Sequence, residues 1–276
     1  MILKNKIAVI SGAGGVLCSS FAKCLAQNGA TVILLDINLE SAETVASEIR
    51  NDGGLAYAFK CDVLDKASIE GVHTEILEKY GKCDILINGA GGNSPRATLA
   101  HEYYEDNDEN RDDIKTFFNL DKNDFGFVFD LNLVGTLLPT QVFSPDMIGR
   151  DGVIINVSSM NAFRPLTKIP AYSAAKSGVS NLTQWLAVHF ASANIRVNAI
   201  APGFFVTKQN EKLLFNENGE PTPRTDKILR ATPMGRFGKA SELLGTLMYL
   251  VDNEKSSFVT GIVIPVDGGF SAYSGV

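Results

Sequence analysis

Residues 6–36, KIAVISGAGGVLCSSFAKCLAQNGATVILLD, decide how the rest of the chain is read. An apolar run, Lys6–Ser11, stops at a cluster of glycines. From Val16 to Asn28 the apolar residues fall at helical spacing, with Leu17, Phe21, Cys24 and Leu25 on one face. Gly29 stands where a helix-ending glycine belongs. A second apolar run, Thr31–Asp36, closes on an acid. Strand, glycine turn, helix and strand form the unit from which parallel sheets are wound.

The rhythm continues. A helix runs to Asn51, then come Ala56–Cys61, a helix near Lys66–Tyr80, and Asp84–Asn88. Later apolar runs are Gly152–Ser158, Ile195–Ile200 and Gly261–Val266, separated by helical stretches. Seven such runs, apolar on both faces, predict one α/β domain over residues 1–276. Its expected core is a Rossmann-type doubly wound, seven-stranded parallel sheet with helices on both faces. Two stretches break the pattern. Residues 93–124 are too long for an ordinary strand-to-helix loop and carry nine acids against four bases. Residues 204–236 contain Pro221, Pro223 and Pro233. The first reads as a solvated lid or a subunit contact, the second as a substrate loop.

Composition narrows the function. With 45% hydrophobic and 20% charged residues in 276, the chain is neither disordered nor a disulfide scaffold. A net charge of −6 argues against a nucleic-acid partner. No uninterrupted apolar run approaches the roughly 18 residues of a membrane span, so no membrane partner is expected. The opening MILKNKIAVISG lacks the pattern of a secretion signal. Cys18, Cys24, Cys61 and Cys83 are unpaired in spacing, as in a reduced, cytoplasmic protein. No metal is expected: His101, Glu102, Glu105 and Asp106 crowd without ligand spacing, and His73 and His189 fall within helical patterns.

The turn Ser11-Gly-Ala-Gly-Gly-Val-Leu-Cys18 can be a tight bend or a cradle for a pyrophosphate at a helix N-terminus. Asp36 favours the cradle, since an acid there can accept both ribose hydroxyls of an adenosine; it can also be a helix N-terminal acid. A 2′-phosphate would meet its charge, and Ile37 and Asn38 offer no compensating base, so NAD(H) is favoured over NADP(H). Tyr172 and Lys176 lie four apart, on one helical face. An ammonium beside a phenol is expected to lower its pKa and make it a proton shuttle. Ser159 closes the preceding strand, and Asn132 sits within an apolar helical run, Phe127–Leu138, as a functional polar group or a helix kink.

Taken together, in order and in register, these motifs resemble the short-chain dehydrogenase/reductase family over nearly the whole chain. The resemblance implies catalytic roles for Asn132, Ser159, Tyr172 and Lys176. It implies dinucleotide contacts along Ser11, Gly12, Gly14, Gly15, Val16 and Leu17, at Asp36, and at the adenine through Asp62 and Val63. Further contacts are implied at Asn88, Gly89 and Ala90, at Tyr172 and Lys176, and at Pro202, Gly203, Phe205 and Thr207. The first turn departs from the family pattern Thr-Gly-x-x-x-Gly-x-Gly: Ser11 replaces Thr, Val16 the middle Gly and Cys18 the last. A Cβ at position 16 is expected to crowd the pyrophosphate, and a thiol at 18 to push the helix off the sheet.

Within that family the chain is similar to the D-mannonate oxidoreductases (fructuronate reductases). The resemblance rests on residues 88–95, 116–120, 158–176 and the tail from Pro265. It implies hydride transfer between NAD(H) and a keto sugar acid, with Tyr172 as proton donor, Ser159 holding the oxyanion and Asn132 holding a water that links Lys176 to solvent. Gluconate 5-dehydrogenases share much of this frame, and a non-catalytic nucleotide binder is a further alternative. A carboxylate calls for a cation, for which Arg96, Arg164 and Lys168 are candidates, with Asn93, Asn161 and Ser159 as hydroxyl partners. The resemblance also implies a homotetramer, with contacts from the helices around 127–143 and 172–190.

Overall fold

The computed structural model describes residues 2–206 and 214–275. Seven strands form one sheet: β1 (Ile7–Ser11), β2 (Thr31–Asp36), β3 (Leu55–Lys60), β4 (Ile85–Asn88), β5 (Gly152–Val157), β6 (Ile195–Pro202) and β7 (Val263–Val266). Their order is β3-β2-β1-β4-β5-β6-β7 and every neighbouring pair is parallel. Alternate residues of each strand feed opposite faces, as the two-residue period requires. Ala8, Ile10, Val32 and Leu34 join one buried cluster, and Ile7, Val9, Ile33 and Leu35 the other. Helices cover both faces, so the strands read as unbroken apolar runs.

Between them lie α1 (Val16–Gln27), α2 (Leu39–Asn51), α3 (Lys66–Lys79), α4 (Lys122–Phe129), α5 (Gly135–Met147), α6 (Pro170–His189) and α7 (Pro223–Ala231). Gly29, at φ +99°, follows α1 and donates to Ala26 O at 2.9 Å, as its predicted role requires. Strand ends shift from the sequence reading for local reasons. Asp84 precedes β4 but its backbone continues the ladder, donating to Ile7 O (2.9 Å) and accepting from Val153 N (3.0 Å), while its carboxylate accepts from Ile7 N (2.9 Å), Arg150 (3.0 Å) and Lys6 (3.3 Å). Gly261 stays outside β7 in a left-handed conformation at φ +79°.

The apolar run around Asn132 is longer than Phe127–Leu138. Asp121 caps α4 by accepting from Asn123 N and Asp124 N, and the helix runs on through a π-helical turn, Asp130–Val134, into α5. Lys122–Met147 is thus one continuous helix of 26 residues, long and apolar enough to cross a membrane by length and composition alone. Here α4 rests on α6, and α5 on α3, β4 and β5. The sequence reading missed this length because Asp124, Asp130 and two prolines interrupt the apolar pattern without ending the helix.

Neighbours β2 and β4 flank β1, so chain direction across the sheet reverses at β1. Parallel sheets open a crevice outside the carboxyl ends of the strands at such a switch point. The glycine turn after β1, the loop after β4, Ser158–Ser159 after β5 and Gly203–Phe205 after β6 all meet there.

Candidate active site and dinucleotide cradle

A cavity of about 630 Å³ occupies that crevice. Its floor is the turn from Gly12 to Cys18, with Asp36 at one end and Ser159, Tyr172 and Lys176 at the other. The turn is backbone-tight. Gly12 has φ +65°, and a methyl group on it would fall 2.8 Å from Ala90 Cα and N. A methyl on Gly14 would fall 2.6 Å from Ser41 Cβ. Helix α1 starts from Gly15 with no side-chain cap and no acid in its first turn, so its leading N–H groups remain directed at the turn. These features fit a pyrophosphate.

Asp36 is held by backbone. Its Oδ2 accepts from Gly14 N at 3.0 Å and its Oδ1 from Asn38 N at 2.9 Å. The carboxylate is thereby fixed in the wall, and the N-cap of α2 is Asn38 rather than Asp36. Asp62 and Val63 line the same end. Val16 and Leu17 line the cavity, as do Gly89, Ala90, Pro202, Gly203 and Phe205.

Two expected dinucleotide contacts turn inward instead. Ser11 is fully buried, and its hydroxyl accepts from Gly89 N at 3.1 Å and Ala90 N at 3.3 Å. Asn88 donates to Thr140 Oγ1 and Asn156 Oδ1, both at 2.9 Å, and Asn156 donates onward to Thr183. Both residues shape the cavity from beneath. Thr207 lies outside the described residues.

Pro170 opens α6 at its first turn, setting Tyr172 and Lys176 on one face at the strand ends. Ser159 caps a short turn, its Oγ accepting from Asn161 N at 3.2 Å, and it lines the same end of the cavity as Tyr172. Lys176 is buried, and its Nζ donates to Val157 O at 2.8 Å. The expected electrostatics are corrected here. Burial pushes the Tyr172 phenol up, with the Ser159 side chain pulling it down, and the Lys176 ammonium is not among the causes. Burial instead lowers Lys176 itself, to about 8. The ammonium is directed at a carbonyl rather than at the phenol.

Asn132 sits in the π turn and is fully buried. Its Nδ2 donates to Val128 O (2.7 Å) and Gly92 O (2.8 Å), and its Oδ1 accepts from Gly92 N (3.1 Å). It therefore ties the loop after β4 to the helix, as well as widening the helix. A side chain on Gly91 would fall 2.6 Å from Asn132 Oδ1 and 3.2 Å from Lys176 Nζ, so a glycine leaves those two groups facing a shared gap.

The expected substrate groups fall outside the cavity wall, Ser159 excepted. Arg96 pairs with Asp124 at 3.3 Å and lies over the Phe127 ring. Arg164 donates to Ser271 O, and Asn93 to Thr98. Lys168, at φ +67°, gives its carbonyl to Leu99 N. Asn161 is buried beside Ser159 with no partner for its Oδ1. Within 93–124 the segment is not wholly solvated: Asp108 is buried against His101 at 3.0 Å. Glu102 pairs with Lys227 of α7. Cys18, Ser41, Gly91 and Phe204 also line the cavity. Cys18 and Gly91 stood in quoted motifs, and no sequence signal marks Ser41.

The short chain dehydrogenase family model matches residues 6–218. An "Uncharacterized oxidoreductase" of Haemophilus influenzae is 58% identical over 99% of this chain and 96% of its own. "Uncharacterized oxidoreductase UxuB" of Bacillus subtilis is 51% identical over 99% and 98%. A crystal structure described as a "putative D-Mannonate oxidoreductase from Haemophilus influenza", with bound NAD, is 57% identical. It superposes with a TM-score of 0.95 over 99% of this chain and 98% of that one. The chain belongs to the short chain dehydrogenase family of oxidoreductases.

Proposed function

We propose that the protein is an NAD(H)-dependent oxidoreductase that interconverts a keto sugar acid and its hydroxy acid, D-fructuronate and D-mannonate. One observation carries the reaction type: a glycine-walled cradle runs directly into a wall where Ser159 and Tyr172 meet, with Lys176 beside them. The sugar acid is supported by the likeness to the oxidoreductase structure above.

Bound in the cradle, NAD(H) supplies or accepts the hydride. The remaining work belongs to the chain. Asp36 receives the ribose hydroxyls at the adenosine end, and its fixed charge disfavours a 2′-phosphate. Tyr172 gives its proton to the carbonyl oxygen during reduction and recovers one during oxidation. Ser159 donates to the same oxygen as it gains charge. Lys176 holds the ribose next to the nicotinamide, and Asn132 keeps a relay water in the gap that Gly91 leaves. Asn161, outside the cavity wall, steadies the Ser159 hydroxyl through its backbone N–H.

Exposed Phe127, Trp185 and Val188 on α4 and α6 support a homotetramer built on these helices, which light scattering on purified protein tests. Four buried free thiols support residence in a reducing cytoplasm. The deciding experiment is NADH oxidation with D-fructuronate, 5-keto-gluconate and neutral ketoses. Preference for D-fructuronate is expected; faster turnover of a neutral ketose would remove the sugar-acid assignment.

A further inference from the structure

We infer that Cys18 and Gly89, 71 positions apart, are a coupled pair that positions the loop after β4 against the dinucleotide cradle; the functional half of this inference rests on the dinucleotide reading above. Cys18 replaces the last glycine of the first-turn pattern, and the residue facing it is a glycine, Gly89. In space each explains the other. A Cβ built on Gly89 falls 2.1 Å from Cys18 Sγ, which is the same space. The thiol is buried within the core beneath the cradle, with burial pushing its pKa up to about 12. It therefore acts as volume and not as a nucleophile. The expected displacement of α1 from the sheet is avoided because the facing residue has no side chain.

The pair bears on function through the loop it supports. Gly89 N and Ala90 N are held by Ser11 Oγ at one end of that loop. Gly92 is held by Asn132 at the other, and Gly91 lies against Asn132 and Lys176. A shift at position 89 is therefore passed to the gap between Asn132 and Lys176. Cys18 and Gly89 are positioning residues in this scheme.

The geometry sets a double-mutant cycle. Gly89→Ala overfills the space. Cys18→Ala empties it. In the double variant the new methyl takes the place of the thiol, at 3.7 Å from the Cβ of residue 18, an ordinary contact. A contact of 2.9 Å to Ser11 O remains, so recovery is incomplete. Thermal melts and NADH fluorescence titrations on all four proteins read the cycle. Gly89→Ala alone is expected to weaken NADH binding about tenfold or more, and the double variant to return within about threefold of the parent. If Gly89→Ala fails to fold, a folded double variant that binds NADH supports the pairing, and a double variant that also fails overturns it. Additive effects overturn it as well. Coupling in the melts with equal NADH affinities would leave a packing pair and overturn the positioning role. Failure of the parent to bind NADH would instead strike the dinucleotide reading, while the melts still report the coupling.

Discussion

Lys176 Nζ stands 5.6 Å from the centre of the Tyr172 ring, one helical turn along α6. That separation puts the cation beside the phenol without a direct bond. With burial raising Tyr172, the phenol stays protonated through neutral pH, ready to give a proton. Reduction should hold its rate across neutral pH, whereas alcohol oxidation, which needs the phenolate, should rise as pH increases. Initial rates in both directions from pH 6 to 10 check this. An oxidation rate flat over that range would refute it.

Replacing Tyr172 by Phe removes the proton donor with little change of shape. Turnover should fall about a hundredfold to ten-thousandfold while the melting temperature and NADH affinity change little. Steady-state kinetics with a parallel melt separate loss of chemistry from loss of fold.

Lys176 also carries a stability signature. Its pKa falls from the ordinary 10.5 to about 8 on folding, because burial disfavours the ammonium. Between those values the unfolded chain binds more protons than the folded one, so this group makes stability rise with pH. Below about 8 both states are charged and the full cost of burying the ammonium is present. The buried thiols and Tyr172, raised by burial, pull stability the other way at the upper end of the range, so the signature is a difference: unfolding followed from pH 7 to 10.5 should show the parent gaining on Lys176→Met as pH rises.

Asp36→Ala removes a fixed charge and leaves Gly14 N and Asn38 N without their acceptor. The ratio of kcat/KM for NADP(H) to that for NAD(H) should increase about tenfold or more. An unchanged ratio would show that Asp36 does not face the adenosine ribose.

Asn132→Ala strips Gly92 and Val128 of their side-chain partners. Buried backbone groups left unpaired cost about 1–3 kcal/mol each at most, so urea unfolding should show a loss of that order with reduced turnover.

The sheet could be read from the sequence because its strands are buried on both faces and their signal is local. Tyr172, Lys176, Ser159 and Asp36 were legible for a related reason: Ser159 and Asp36 sit at strand ends, and Tyr172 and Lys176 on successive turns at the start of one helix. Features joining distant segments were not. The fit of Cys18 to Gly89 needs the two strand ends side by side, so Cys18 alone read as a defect. Arg96 looked available for an anion because nothing in a linear reading reveals Asp124 against it. Tyr172 was misjudged in sign, since burial raises it and the cation expected to lower it is bonded to Val157 O.

The π turn at Asp130–Val134 has an effect on phase. One surplus residue rotates everything beyond it by roughly a quarter revolution relative to an unbroken α-helix. Upstream of α5 this aims Leu131 at the crevice and Asn132 at the loop after β4; downstream, Val142, Phe143 and Met147 fall on the inner cluster of the sheet. Excising a single residue there would give a more regular rod and force a choice between facing the crevice and filling the core.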